Sequence, residues 1–227
     1  MTSHDRPTHP FDEPDPLVTT APLADVVAAI EALDLDAPWK DIRDGLRLVL
    51  PRRRPMPPDT GTLPKRTWVP GLRVSLGLDV GPAMLFVSQE QIDGWGISED
   101  EAFEQAESNV RDLLRTRRQF ALVREHIAEV PTVAFQSREG WASTLLLMPD
   151  ELCRVMGERS GLILAPMRDL VVWMPHDTDF GLAEWILDEF AAADMNALDV
   201  PVLSLVEGQL ALAVDGHASP GGTTRMH

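Results

Sequence analysis

Apolar residues recur along this chain in short, readable patterns. At 22–33, Leu23, Val26, Val27, Ile30 and Leu33 fall at helical spacing behind Pro22, which suits a first helical turn. Trp39 opens a second stretch whose apolar positions Ile42, Leu46 and Val49 share a helical face, so a helix is predicted there, stopped by Pro51. From Leu72 the period changes to two: Leu72, Val74, Leu76 and Leu78 alternate with Arg73, Ser75, Gly77 and Asp79, as in a strand with one buried face. Gly81-Pro82 marks a turn into AMLFVS at 83–88, and the two segments predict a hairpin.

Ser98 followed by Glu101 is a capping-box signature, and Asp100 adds negative charge at the positive end of the helix dipole. Phe103, Ala106, Val110, Leu113 and Leu114 continue as an apolar stripe, and Arg115, Arg117 and Arg118 suit the far end, so a helix is predicted over about 98–118. Trp95, just before it, reads as a staple at the helix entrance. Further on, Val133 and Phe135 suggest a strand, Arg138-Glu139-Gly140 a turn, TLLLM a buried strand, and DELCRVMGE a short helix. GLILAP and DLVVWMP read as paired strands, or as one strand bent around Pro166-Met167-Arg168. FGLAEWILDEFAAAD gives a helix, and VPVLSLV with QLALAV, joined by Glu207-Gly208, a hairpin.

Strand pairs alternating with helices predict an α+β fold. Its sheet is mostly antiparallel with helices packed on one face, in strand-strand-helix units behind an N-terminal helical element. The organisation expected is a disordered arm at 1–20, N-terminal helices at 21–50, a Pro/Arg-rich linker at 51–67, the α+β body at 68–214 and a flexible tail at 215–227.

Composition narrows the function classes. The 227 residues hold one cysteine, Cys153, which excludes an intrachain disulfide and a cysteine-based zinc cluster. The opening MTSHDRPTHPFDEPDP lacks the basic-then-apolar order of a secretory signal, and the apolar runs are short. The expectation is a soluble, cytoplasmic protein with no membrane partner. The net charge of -16 repels nucleic acid and anionic lipid over most of the surface. The charge is nonetheless segregated: segment 40–73 carries nine basic and three acidic residues, a net of +6 against -22 elsewhere. Such a segment suits the acidic body of its own chain, an acidic partner or a phosphate, and Arg52, Arg53 and Arg54 are its candidate partner contacts.

A search for chemistry finds little that converges. The histidines show no metal-ligand spacing; His176, Asp177 and Asp179 are the richest local group, but Asp177, Thr178 and Asp179 read better as residues capping the next helix. Cys153 lies in an amphipathic helix, where a small buried hydrophobe is expected. No nucleophile elbow, Walker loop or dinucleotide fingerprint is present, so no cofactor and no metal is expected. The acids from Glu99 to Glu107 read as the wet face of one helix. Asn109, within the amphipathic helix, and the pair Arg168-Asp169, between two apolar stretches, stand out as polar groups that could rim a cleft.

Three segments also carry a family resemblance. Trp95-Gly96-Ile97-Ser98 followed by Ala106, Asn109 and Val110, then GWASTLLLMPDEL, then Pro166, Arg168 and Asp169 in APMRDLVVWMP, resemble a widespread, uncharacterised bacterial family of cytosolic α+β proteins. The resemblance covers about 73–190 and implies the architecture without an activity. The leading expectation is a non-enzymatic binding or adaptor protein whose partner is another protein or a second copy of itself. The alternative is a small-ligand sensor or enzyme with a cleft lined by Asn109, Arg168, Asp169 and His176. Nucleic-acid binding through 40–73 ranks third.

Overall fold

The computed structural model describes residues 23–32, 34, 37–53, 62–80, 84–116, 120–137, 141–193 and 197–214. The expected arm at 1–20, the tail at 215–227, the turns at Gly81-Pro82 and Arg138–Gly140, Arg117, Arg118 and the linker residue Arg54 lie outside them. The fold is α+β, with antiparallel strand pairs, strand-strand-helix units and an N-terminal helix, α1 (Leu23–Glu31). After α2 (Trp39–Ile42) and a single 3-10 turn come β1 (Leu46–Val49), β2 (Lys65–Val69), β3 (Leu72–Asp79) and β4 (Met84–Phe86). Two helices follow, α3 (Gln89–Trp95) and α4 (Glu99–Thr116), and then the hairpin β5 (Phe120–Ile127) and β6 (Val130–Ser137). A 3-10 segment over Ala142–Leu147 leads into α5 (Pro149–Met156), β7 (Gly161–Met167), β8 (Leu170–Met174), α6 (Phe180–Ala193), β9 (Leu203–Val206) and β10 (Gln209–Leu212).

The first sheet is organised by β3, which pairs β1, β2 and β4, all antiparallel. Its alternation places Leu72, Val74, Leu76 and Leu78 in the core, as the sequence pattern requires. Gly77 sits between β1 and β4, where a Cβ would come within 2.6 Å of Val49 Cγ2 and 2.9 Å of the Met84 sulfur. Only glycine lets the three strands close on one another there. One face of this sheet takes α4, whose Ala102, Phe103, Ala106, Val110 and Leu114 are buried against it.

The second sheet has the order β10-β9-β7-β8-β6-β5, again antiparallel at every pairing among the described residues. Its inner strands present alternate residues to two clusters. Ile163, Val171, Leu203 and Leu205 join the core that also holds α4 and β3, whereas Leu164, Val172 and Met174 pack under Ala183 and Ile186 of α6. Burial on both faces explains why GLILAP and LVVWM read as continuous apolar runs rather than alternations.

Several predicted elements differ. The helix expected over 39–50 ends at Ile42, and Leu46–Val49 is strand β1, paired with β3. Gly45 interrupts the helix, and Leu46, Leu48 and Leu50, all buried, also satisfy the two-residue period. TLLLM is not a strand: Leu145, Leu146 and Leu147 are buried consecutively in the 3-10 segment, which strand alternation does not permit on one face. The β7–β8 turn falls at Arg168-Asp169, so the two segments are a hairpin rather than one bent strand. Trp95 ends α3 and stacks on Trp39 with ring centroids 5.6 Å apart, so it closes one helix rather than stapling the next. His126 lies in strand β5.

Candidate functional site

The polar residues singled out from the sequence are placed at separate points. Asn109 faces the start of β1: its Nδ2 donates to the carbonyls of Arg43 (2.7 Å) and Leu46 (2.9 Å), and its Oδ1 accepts from Gln105 Nε2 (2.8 Å). It pins the 3-10 turn and strand β1 onto α4. Asp169 accepts a hydrogen bond from the Ser137 hydroxyl (3.0 Å), and that same hydroxyl oxygen accepts from the backbone N–H groups of Trp141 and Ala142. The β7–β8 turn thereby anchors the loop after β6. His176 lies beyond the other end of β8, exposed, with Nε2 3.3 Å from the Ser204 hydroxyl. The five residues of β8 put His176 more than about 15 Å along the strand from Arg168-Asp169. Among the described residues, no hydrogen bond joins Asn109, Asp169 and His176.

The basic segment folds partly onto the acidic body. Arg53 meets Asp188 of α6 at 2.5 Å, Arg66 meets Asp100 of α4 at 2.5 Å, and Arg47 meets Asp79 of β3 at 3.6 Å. Arg66 also lies over the Phe103 ring, 4.3 Å from its centroid. Arg52 behaves differently. It is half-buried over the Phe86 ring at 5.6 Å, and burial followed by the nearby Arg168 charge lowers its pKa. Cys153 is buried, and burial pushes its thiol pKa up, which favours the protonated thiol. Among the described residues no group of three His, Cys, Asp or Glu side chains could hold a metal ion. Asp179 accepts from the Leu182 N–H (3.0 Å) at the start of α6, which is a capping role.

A different surface emerges at the edge of the second sheet. Among the described residues β5 has a strand on one side only, and its burial pattern is almost wholly exposed. The β5–β6 register sets Leu122 opposite Phe135 and Phe120 opposite Ser137, so Phe120 and Leu122 share the face on which Phe135 enters the core. Phe120 is 47% exposed and Leu122 39%. Phe120, Phe135 and Trp141 form an aromatic cluster with centroids 5.0 to 6.5 Å apart. They line an open groove of about 370 Å³ with Leu114 at the end of α4 and Val155 of α5. Arg115 and the ion-paired Arg154 and Glu151 form its rim. The indole N–H of Trp141 is buried and has no hydrogen-bond acceptor among the described residues. Arg124, farther along the same face of β5, donates to the carbonyl of Met156 (3.0 Å) and so ties the strand to the last turn of α5.

The sequence reading missed this surface because FALVREHI has no clean alternation: both its faces are largely wet, and apolar Phe120 and Leu122 are followed at the same parity by Arg124 and His126. The signal that was there is the aromatic and β-branched content of 120–127 ahead of Val130–Ser137. Comparison with known proteins finds no matching family model, no matching curated protein and no matching solved structure.

Proposed function

We propose that this chain is a non-enzymatic binding or adaptor protein that takes an extended segment of another protein along β5. The observation that carries this reading is the open edge of β5 beside exposed Phe120 and Leu122. An eight-residue edge strand offers unpaired backbone N–H and C=O groups at the spacing an added strand requires. Main-chain hydrogen bonds would supply the attraction, and the groove over Phe135 and Trp141 would take an apolar side chain of the incoming segment. The net charge of -16 supports a protein partner over a nucleic acid. Among the described residues no helix is long and apolar enough to cross a membrane.

The test compares the full chain with Leu122→Lys, a change at an exposed edge position that leaves the core intact. A native partner captured by the wild type should be lost from Leu122→Lys, and its binding should slow amide hydrogen exchange in 120–127. Retention of the same partner by the variant, with no change of exchange in β5, would overturn the reading. Concentration-dependent self-association that Leu122→Lys abolishes would replace the heterologous partner with a second copy of this chain.

A further inference from the structure

Among the described residues, most arginines are matched with carboxylates. Arg47, Arg53, Arg66, Arg111 and Arg154 each have an acidic partner within 4 Å. Arg52 and Arg168 do not: among the described residues neither guanidinium has an ion pair, and neither is seen to donate a hydrogen bond. Arg124 and Arg159 also lack a carboxylate but donate to backbone carbonyls, and Arg73 is exposed, whereas Arg52 and Arg168 are partly buried with neither compensation. The backbone explains how the two come together. Residues 197–199, which follow α6, run as a short strand-like strip between residues 51–53 and the end of β7. Arg52 bridges Leu198 on one side of the strip and Met167 bridges Ala197 on the other. Further bonds hold it in place: Arg53 N–H to Ala197 O (3.0 Å), Leu198 N–H to Pro166 O (2.9 Å) and Asp199 N–H to Pro51 O (2.8 Å).

Neighbouring strands lie about 4.8 Å apart, so the flanking backbones are separated by about 10 Å, within the joint reach of two arginine side chains. Bridge partners share a face and successive residues alternate. Arg52 shares the face of Leu198, and Arg168 follows Met167 directly in the β7–β8 turn, near enough for its charge to act on Arg52. Arg52 is held over Phe86, and its Nε–H is buried without an acceptor. Two like charges held together, one with a buried and unsatisfied donor, cost free energy unless an anion lies between them.

We propose that Arg52 and Arg168 form a binding site for a phosphate group, carried by inorganic phosphate or by a small phosphate monoester. Two guanidinium groups supply two positive charges and planar forks of N–H donors. A phosphate at neutral pH carries about 1.5 negative charges or more and enough oxygens to face both forks at once, whereas a lone carboxylate balances only one. The turn that carries Arg168 is stiffened by the Ser143 N–H donating to the Arg168 carbonyl (2.9 Å), so the charge is presented from a fixed backbone.

The experiment is thermal unfolding of the full chain in inorganic phosphate, in phenyl phosphate and in sodium chloride of equal ionic strength. Arg168→Gln is measured beside the wild type. The wild type should gain a saturable rise in Tm with phosphate beyond that in chloride, and Arg168→Gln should weaken the apparent affinity by about tenfold or more. Without phosphate the variant should be as stable as the wild type or more so, because its loss relieves repulsion on Arg52. A larger rise with phenyl phosphate than with inorganic phosphate assigns the site to a monoester, and the reverse order to the free ion. An equal phosphate response in wild type and variant would reduce the effect to general salt exclusion and overturn the site. So would a variant less stable than the wild type in chloride alone.

Discussion

Asn109 commits both amide hydrogens and its oxygen to contacts within the fold, and that decides what kind of residue it is. Its Nδ2 donates to the carbonyls of Arg43 and Leu46, at the junction where the 3-10 turn becomes β1. Asn109→Ala should therefore cost about 0.5–1.5 kcal/mol of stability in urea unfolding, because its hydrogen bonds are lost while each carbonyl keeps another donor, the Leu46 N–H on Arg43 and Arg47 Nη1 on Leu46. Asn109→Asp is the sharper case. It keeps the shape but an ionised carboxylate cannot donate, and it would face two carbonyl oxygens, so it should be at least as destabilising as alanine at neutral pH. A variant Asn109→Asp with wild-type stability would mean that the amide is free for another role. The sequence pointed to Asn109, Arg168 and Asp169 for a sound reason, their polarity among apolar neighbours. What it could not show is that backbone carbonyls and the Ser137 hydroxyl stand ready to satisfy two of the three.

At the scale of elements, α3 shows how much a cap contributes when little else is available. The helix has seven residues and buries only Ile92, which is too short for propensity to sustain it. Its start is fixed by a full capping box: Ser88 Oγ accepts from the Gln91 N–H (3.3 Å), and Gln91 Oε1 accepts from the Ser88 N–H (2.8 Å). Ser88→Ala should cost about 1 kcal/mol by chemical denaturation, and Ser88→Gly only a few tenths. Equal losses for both would point to packing at Ser88 rather than capping. Ser98 caps α4 in the same manner, its Oγ accepting from the Glu101 N–H (3.1 Å). Both signatures stand in the sequence, yet only the second announces its helix, because Phe103, Ala106, Val110 and Leu114 then repeat at helical spacing. Elements with one long buried face, β3 and α4, are thus legible from pattern alone. Where a segment is buried all round, as in the 3-10 run Leu145–Leu147, or wet on both faces, as in β5, periodicity carries no information, and the neighbours decide.

For the molecule as a whole, the question is whether two sheets make one cooperative unit. Strand-strand-helix units recur along the chain, and such units can fold separately. Here they share a core: Leu76 of β3, Phe103 of α4, Leu145 and Leu152 near α5, and Leu205 of β9 belong to one contiguous cluster. The ion pair from Arg53 to Asp188 of α6 and the strip at 197–199 add links between the N-terminal segment and the second sheet. At 227 residues, a chain this long does not unfold in one step by default, so a single transition would be the mark of the shared core. Leu76 and Leu205 are both fully buried, one in each sheet, and each truncated to alanine should cost about 2–5 kcal/mol. If the core is common, both variants lower the midpoint of a single transition, seen alike by far-UV circular dichroism and by tryptophan fluorescence. The fluorescence reports on both regions, since Trp39, Trp68 and Trp95 lie with the first sheet and Trp141, Trp173 and Trp185 with the second. Two transitions, with Leu76→Ala shifting only one and Leu205→Ala only the other, would show that the sheets are joined by contact and not by cooperativity.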